Sequence, residues 1–237
     1  MLRLSTAGLI AVAVLGVTQL AATTASAHKY IVEKQEVKGT EIFKAEGKLG
    51  IENSLGEIEP ETAGWELESK IAGAKVLLRC EAGKMKDEIE KEGQSKAGES
   101  LYESCSISEV KEGKETALTA CTVPNVTTKM KDSIITGAGS TVEMEFQPSS
   151  GKLFGELEIA GSSCSIKGTY KLESATEGKG QVCGSVSGEV EVEHHTLVCL
   201  PTGSKEIRLG SEKAGLAYFL SMKLESPERP SPPWYFE

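Results

Sequence analysis

Apolar and polar residues alternate through the middle of the chain. Val142, Met144 and Phe146 are separated by Glu143, Glu145 and Gln147. Leu157 and Ile159 alternate with Glu156 and Glu158, and Cys164, Ile166, Tyr170 and Leu172 alternate with Ser165, Lys167, Thr169, Lys171 and Glu173. A period of two sends successive side chains to opposite faces of a pleated strand. The stretch Thr141 to Glu173 therefore predicts a three-stranded antiparallel meander with one buried and one wet face.

The same period recurs on both sides. Trp65–Glu68, Lys75–Cys80, Leu101–Ile107, Ala117–Val123, Gly188–Glu193, His194–Leu200, Glu206–Leu209 and Leu216–Glu225 each read as a strand, punctuated mainly by glycine. In the last of these, Leu216, Tyr218, Leu220, Met222 and Leu224 share one face and mark a core strand. Lys84–Glu92 is the one candidate helix, because Lys84/Glu88, Lys86/Glu90 and Asp87/Lys91 are four apart; a polar strand with solvated charges is the competing reading. The expectation is an all-β, antiparallel β-sandwich or irregular barrel of about 10–14 short strands with at most one short helix.

The N-terminus changes the picture by naming a compartment. Arg3, the apolar run Leu9–Val17 and the small residues Ala25 and Ala27 have the layout of a secretory signal peptide cut between Ala27 and His28. The run is shorter than the ~20 residues a membrane helix needs, so no membrane insertion is expected after cleavage. The expected organisation is a signal peptide at 1–27, an arm of weak strands at 28–60, a β-sandwich domain at 61–226 and a Pro-rich tail at 227–237. The tail ends in Trp234, Tyr235 and Phe236, candidate binding residues, and its removal is expected to leave the fold intact.

Six cysteines, Cys80, Cys105, Cys121, Cys164, Cys183 and Cys199, sit in an exported chain without any C-x-x-C pair. An even count in that context predicts three disulfides rather than metal ligands. Fifteen pairings are open; Cys105 with Cys121 and Cys183 with Cys199 are the simplest neighbouring-strand guesses. The order of Cys80-Glu81-Ala82, Cys105, Cys121-Thr122, the acidic meander and Cys183-Gly184-Ser185 resembles a loose group of exported, β-rich, cysteine-containing bacterial proteins without assigned function. The resemblance spans Trp65 to Glu225 and implies fold and export but brings no catalytic residues with it.

Candidate chemistry is sparse. An N-terminal His28 would offer an amine and an imidazole to copper, with His194 or His195 as a further ligand, as in exported β-sandwich copper proteins. His195, Glu191 and Glu193 fall in one strand phase and form a second possible metal set, set against the reading that alternating Glu is a solvated face. Glu143/Glu145 and Glu156/Glu158 are the carboxylate pairs a glycoside hydrolase requires, but aromatic platforms for sugar are few, with Trp 2, Tyr 5 and Phe 5 in the chain. No nucleophile elbow, phosphate loop or dinucleotide fingerprint occurs. Asp appears only at 87 and 132, which rules out D-x-D calcium loops. A net charge of −9 argues against nucleic acid and favours a cationic partner or plain solubility. The reading that remains is a secreted, non-enzymatic protein without cofactor, binding an extracellular protein or glycan or serving a structural role, with a copper protein using His28 and a carboxylate-based glycosidase as alternatives.

Overall fold

A computed structural model describes residues 29–37, 43–50, 65–89, 93–96, 98–136, 142–185, 191, 193–225 and 232–236. The expected signal peptide at 1–27, residues 28, 38–42 and 51–60 of the arm, and 227–231 and 237 of the tail lie outside the described residues. The strands are β1 (Tyr30–Val32), β2 (Gln35–Glu36), β3 (Phe43–Gly50), β4 (Trp65–Ile71), β5 (Ala74–Ile89), β6 (Gly98–Lys111), β7 (Lys114–Ala117), β8 (Val126–Thr136), β9 (Val142–Pro148), β10 (Leu153–Ile159), β11 (Gly168–Ser174), β12 (Gln181–Ser185), β13 (His194–Cys199), β14 (Ile207–Leu209), β15 (Glu212–Lys213), β16 (Gly215–Glu225) and β17 (Trp234–Phe236). Every pairing is antiparallel, and the architecture is an all-β irregular barrel with sandwich-like extensions.

The ring runs β8-β9-β12-β13-β16-β3-β5-β6, and β6 pairs β8 again through Gly98↔Met130 to Tyr102↔Val126. A closed ring removes exposed sheet edges. β5 and β16 are long enough to serve twice: their C-terminal parts pair β3, and their N-terminal parts pair β4. β10, β11, β14 and β15 branch from β8 where Gly155 meets Thr128. A Cβ at Gly155 would collide with the Thr127 carbonyl, so only glycine permits this crossing.

That crossing corrects the expected meander. β10 and β11 do pair, but β9 lies between β8 and β12, because β8 carries β10 near its start and β9 along its second half. Lys84–Ile89 is strand rather than helix; it is clamped between β3 and β6, and tertiary pairing outweighs a few i,i+4 charge pairs. Ala117–Val123 is not a strand: β7 ends at Ala117, and the chain then turns into a loop tied by the Cys121–Cys164 disulfide.

The buried phase of β6 also changes midway. Ser100 and Tyr102 are buried in its first half, Ile107 in its second, and Leu101 is only half-buried. Ser104 between them has φ 54°, a left-handed kink that re-aims the side chains. The opposite strand switches at the same level, from Val76, Leu78 and Cys80 to Gly83, Met85, Asp87 and Ile89. Trp65 from β4 stacks on Tyr102 there, with ring centroids 4.7 Å apart.

Three disulfides fix the weave. Cys80–Cys105 joins directly opposite residues of β5 and β6, Cys183–Cys199 does the same for β12 and β13, and Cys121–Cys164 links two loops. The Cys183–Cys199 guess holds; Cys105 pairs with Cys80 and not Cys121, because Cys80 is its partner in the strand register.

Both ends of the chain meet in a separate three-stranded sheet, ordered β17-β1-β2, with Tyr30↔Phe236 and Val32↔Trp234 in register. Trp234 is fully buried, so it is a core anchor and not an exposed contact. Truncation of the tail therefore removes a docked strand. Trp234→Ala is expected to lower stability by about 3–5 kcal/mol, read as a shifted urea midpoint. Replacing Cys183 and Cys199 together by Ala is expected to cost about 3 kcal/mol for so short a loop, and non-reducing peptide maps should recover the three pairs above.

Candidate functional site

Asp87 and Asp132, the chain's two aspartates, lie on different ring strands with β6 between them, yet they meet. In an antiparallel ring β5 and β8 run the same way and β13 runs opposite. The ends of β5 and β8 and the start of β13 therefore share one end of the barrel. Asp87, Asp132 and His195 all belong to it.

Each aspartate falls in the inward phase of its strand, Asp87 between Met85 and Ile89, Asp132 between Met130 and Ile134. They are 4% and 2% exposed. The segment 93–96 wedges between β5 and β8 through the bridges Ile89↔Ser95 and Gln94↔Ser133. Ser95 is its working residue. Its hydroxyl donates to Asp87 Oδ2 at 2.6 Å and accepts from the Asp132 backbone N–H at 2.8 Å. The Glu88 N–H donates to Asp87 Oδ1 at 2.7 Å. Gly98 makes the room, since a Cβ there would stand 2.5 Å from the Lys86 carbonyl and 2.7 Å from Asp87 Cγ.

The terminal sheet closes this end. The Tyr30 hydroxyl donates to Asp132 Oδ2. The Trp234 carbonyl accepts from His195 Nε2 at 2.6 Å, which places the ring hydrogen on that nitrogen. The His195 and Trp234 rings lie 4.2 Å apart, and Tyr30 and Trp234 6.0 Å.

Burial, and then the charge of Asp132, pushes the Asp87 carboxyl up to about 9. Two buried carboxylates in contact cannot both ionise cheaply, so the pair keeps one proton. Asp132 Oδ1 is buried without a donor among the described residues. Burial raises the Tyr30 hydroxyl well above its ordinary range, helped by Asp132. Burial lowers the His195 ring, opposed by its bond to Trp234, so the ring is neutral at pH 7.

The other candidates are dispersed. Glu191 is half-buried, Glu193 is exposed and His195 is fully buried, and among the described residues no three His, Cys, Asp or Glu side chains are grouped to hold a metal. His28 lies outside the described residues. Glu145 is buried but held, accepting from Gly180 N and Gln147 Nε2 at 3.1 Å and lying 3.6 Å from Lys179 Nζ. Glu156 and Glu158 are exposed, opposite Lys171 and Thr169.

No family model matches this chain, and no curated protein or solved structure is significantly similar to it.

The aspartate pair escapes sequence reasoning that treats Asp as a ligand of loops. Its signal was the phase: both aspartates replace an apolar residue in a buried stripe. The linkage has a definite sign. Asp87 in the unfolded chain loses its proton near pH 4, whereas the folded chain keeps it to about 9. The stabilisation it brings is full below about pH 4 and is lost as pH rises to 9. His195 works oppositely, its contribution fading as pH falls below about 6.5. Between pH 7 and 9 the aspartate pair dominates, so unfolding midpoints are expected to drop over that window, and the drop should vanish in Asp87→Asn. Gly98→Ala should destabilise by about 1–3 kcal/mol or more, as an overpacked core does, measured by urea unfolding.

Proposed function

We propose that the chain is an exported, non-enzymatic protein with a binding or structural role at the cell exterior. One observation carries the reading: the close carboxyl pair found among the described residues, Asp87 and Asp132, is buried, with Tyr30 of the terminal sheet bonded to it. Three disulfides point to an oxidising compartment. No helix among the described residues is long and apolar enough to cross a membrane. The leader-like residues 1–27 and the resemblance to exported β-rich proteins support the same destination.

The outer surface fits a protein made to persist outside the cell. Acidic strand positions face bases across the ladders, as in Glu156↔Lys171, Glu173↔Arg208 and Glu99↔Lys129. Arg79 bridges Glu66 at 2.6 Å and Glu115 at 2.6 Å, holding the Glu115 carboxyl below its usual range. Neutralised faces of this kind give solubility more than attraction for a cation, and each exposed pair contributes only about 0–1 kcal/mol. Exposed large apolar residues are few, Leu153 and Leu200. The partner we propose is an extracellular protein or glycan, and nucleic acid is disfavoured by the net charge of −9.

Recovery of the protein from its own host's medium tests this reading. Intact mass is expected to show a chain beginning at His28 with six thiol hydrogens missing and no metal, and assays on polysaccharides are expected to show no turnover. Retention of one copper by that same form overturns the reading in favour of the copper protein. Polysaccharide cleavage lost in Glu145→Gln overturns it in favour of the glycosidase.

A further inference from the structure

We infer that the Asp87–Asp132 pair is a proton-operated latch for the terminal sheet: one proton shared between the carboxyls keeps the sheet seated, and its loss unseats it.

The geometry gives the latch its parts. The terminal sheet touches the pair through one side chain, Tyr30, whose hydroxyl donates to Asp132 Oδ2. On the barrel side the pair is held by Ser95 and by the Glu88 N–H. Asp132 Oδ1 has no donor among the described residues, so the oxygen that faces no protein donor is the one a shared proton satisfies. Asp87 finds room there because Gly98 carries no side chain. When the proton leaves for solvent hydroxide, two carboxylates remain in contact with too few donors. The barrel wall cannot part, because β5, β6 and β8 are paired along this length. The terminal sheet can, because its ladders join only β17, β1 and β2 to one another. Lifting it admits water to both carboxylates.

Among the described residues the only charges found to act on the pair are its own. On β5 the neighbours Lys86 and Glu88 occupy the outward phase, and Glu88 pairs with Lys96 at 3.2 Å. β3 places Ala45 opposite Asp87, with Lys44 and Glu46 at the flanking register positions. β6 brings Gly98 and the exposed Glu99; β8 brings the exposed Lys131. β9 sets Phe146 opposite Asp132, and its Glu145 is taken up by Gly180, Gln147 and Lys179. On β1, Lys29 lies 4.0 Å from Glu36. Across the cap, His195 bonds the Trp234 carbonyl. The charges that act on Asp87 and Tyr30 are those of the pair itself. His195 is a second attachment, sensitive to acid rather than base.

The chain's two aspartates make the test specific. Full mature protein is labelled with carbon-13 at the aspartate side-chain carboxyl, and the two signals are followed from pH 6 to 10 together with amide exchange of residues 30–37 and 232–236. The expected result is one shared proton at neutral pH that titrates in the alkaline range. Below about pH 9 cap opening, corrected for intrinsic exchange, should rise about tenfold per pH unit, since opening releases one proton, and it should level off above, where the seated pair has already lost that proton. Amides of β13 and β16 should stay protected. Asp87→Asn cannot ionise and should hold the cap opening constant with pH. If that variant does not fold, the labelled wild type still decides. Two fully ionised carboxyls at neutral pH with the cap seated, as around a bound cation, would overturn the latch. So would cap exchange that ignores the carboxyl titration, or an Asp87→Asn cap that opens with the wild-type slope.

Discussion

The pairing of β6 back onto β8 is the constraint on which the other features depend. It turns a long antiparallel sheet into a ring, and a ring has one interior shared by every strand. Each strand must then aim alternate side chains at the same axis, and each change of direction needs a device. Ser104 with its positive φ re-aims β6. Gly155 lets β10 cross β8, and Gly98 at the start of β6 leaves room for Lys86 and Asp87 of β5. The disulfides Cys80–Cys105 and Cys183–Cys199 staple neighbouring pairs in the wall, so the register cannot slip without breaking a covalent bond.

A ring also has ends, and an end exposes interior side chains. Here the interior at one end is polar, with Asp87, Asp132 and His195 all buried. An apolar plug would leave Asp132 Oδ2 and His195 Nε2 without their partners, at a cost of about 1–3 kcal/mol each, more for a charge. The terminal sheet supplies what an apolar plug lacks: a hydroxyl from Tyr30 for Asp132 and a carbonyl from Trp234 for His195. The donor and the acceptor come from residues that also bring aromatic area, so the same two residues seal and satisfy. Buried polar pairs seldom add net stability over apolar ones, but they are demanding about geometry. That demand is useful when the two strands to be seated come from opposite ends of the chain.

Much of the fold was legible because alternation is a local signal. β9, β10, β14 and β16 lie close to where the period of two placed them, whereas the Cys164/Ile166 part of the third expected strand is turn and β11 begins only at Gly168. Ring closure was not legible, because nothing in β6 or β8 alone names its partner. Leu101 and Ile107 read as one phase, yet Ser104 breaks the phase between them, and a left-handed serine carries no strong sequence mark. The Lys84–Ile89 charge pattern suits helix and wet strand equally, and only the neighbours β3 and β6 decide. The site was hidden for a similar reason. The scarcity of aspartate spoke against loops of ligands, whereas the placement of both aspartates in apolar stripes pointed inward. Trp234, read as a contact at a free tip, is buried because β1, some 200 residues earlier, offers it a strand.

That long separation bears on why the cap is attached by polar contacts. Loop closure costs grow only slowly with length, so joining the two ends is affordable, but the join must find one register among many in a short ladder. Three residues of β1 against three of β17 cannot specify that by apolar burial alone. The Tyr30–Asp132 and His195–Trp234 bonds can, because each is made only when the sheet sits in one place and each leaves a buried group stranded otherwise. A seat defined in this way is specific and also conditional on the protonation of its partners. The barrel is fixed by covalent bonds and by continuous ladders. Its cap is fixed by groups that titrate, and the two parts therefore answer to different variables: the wall to redox conditions, the cap to pH.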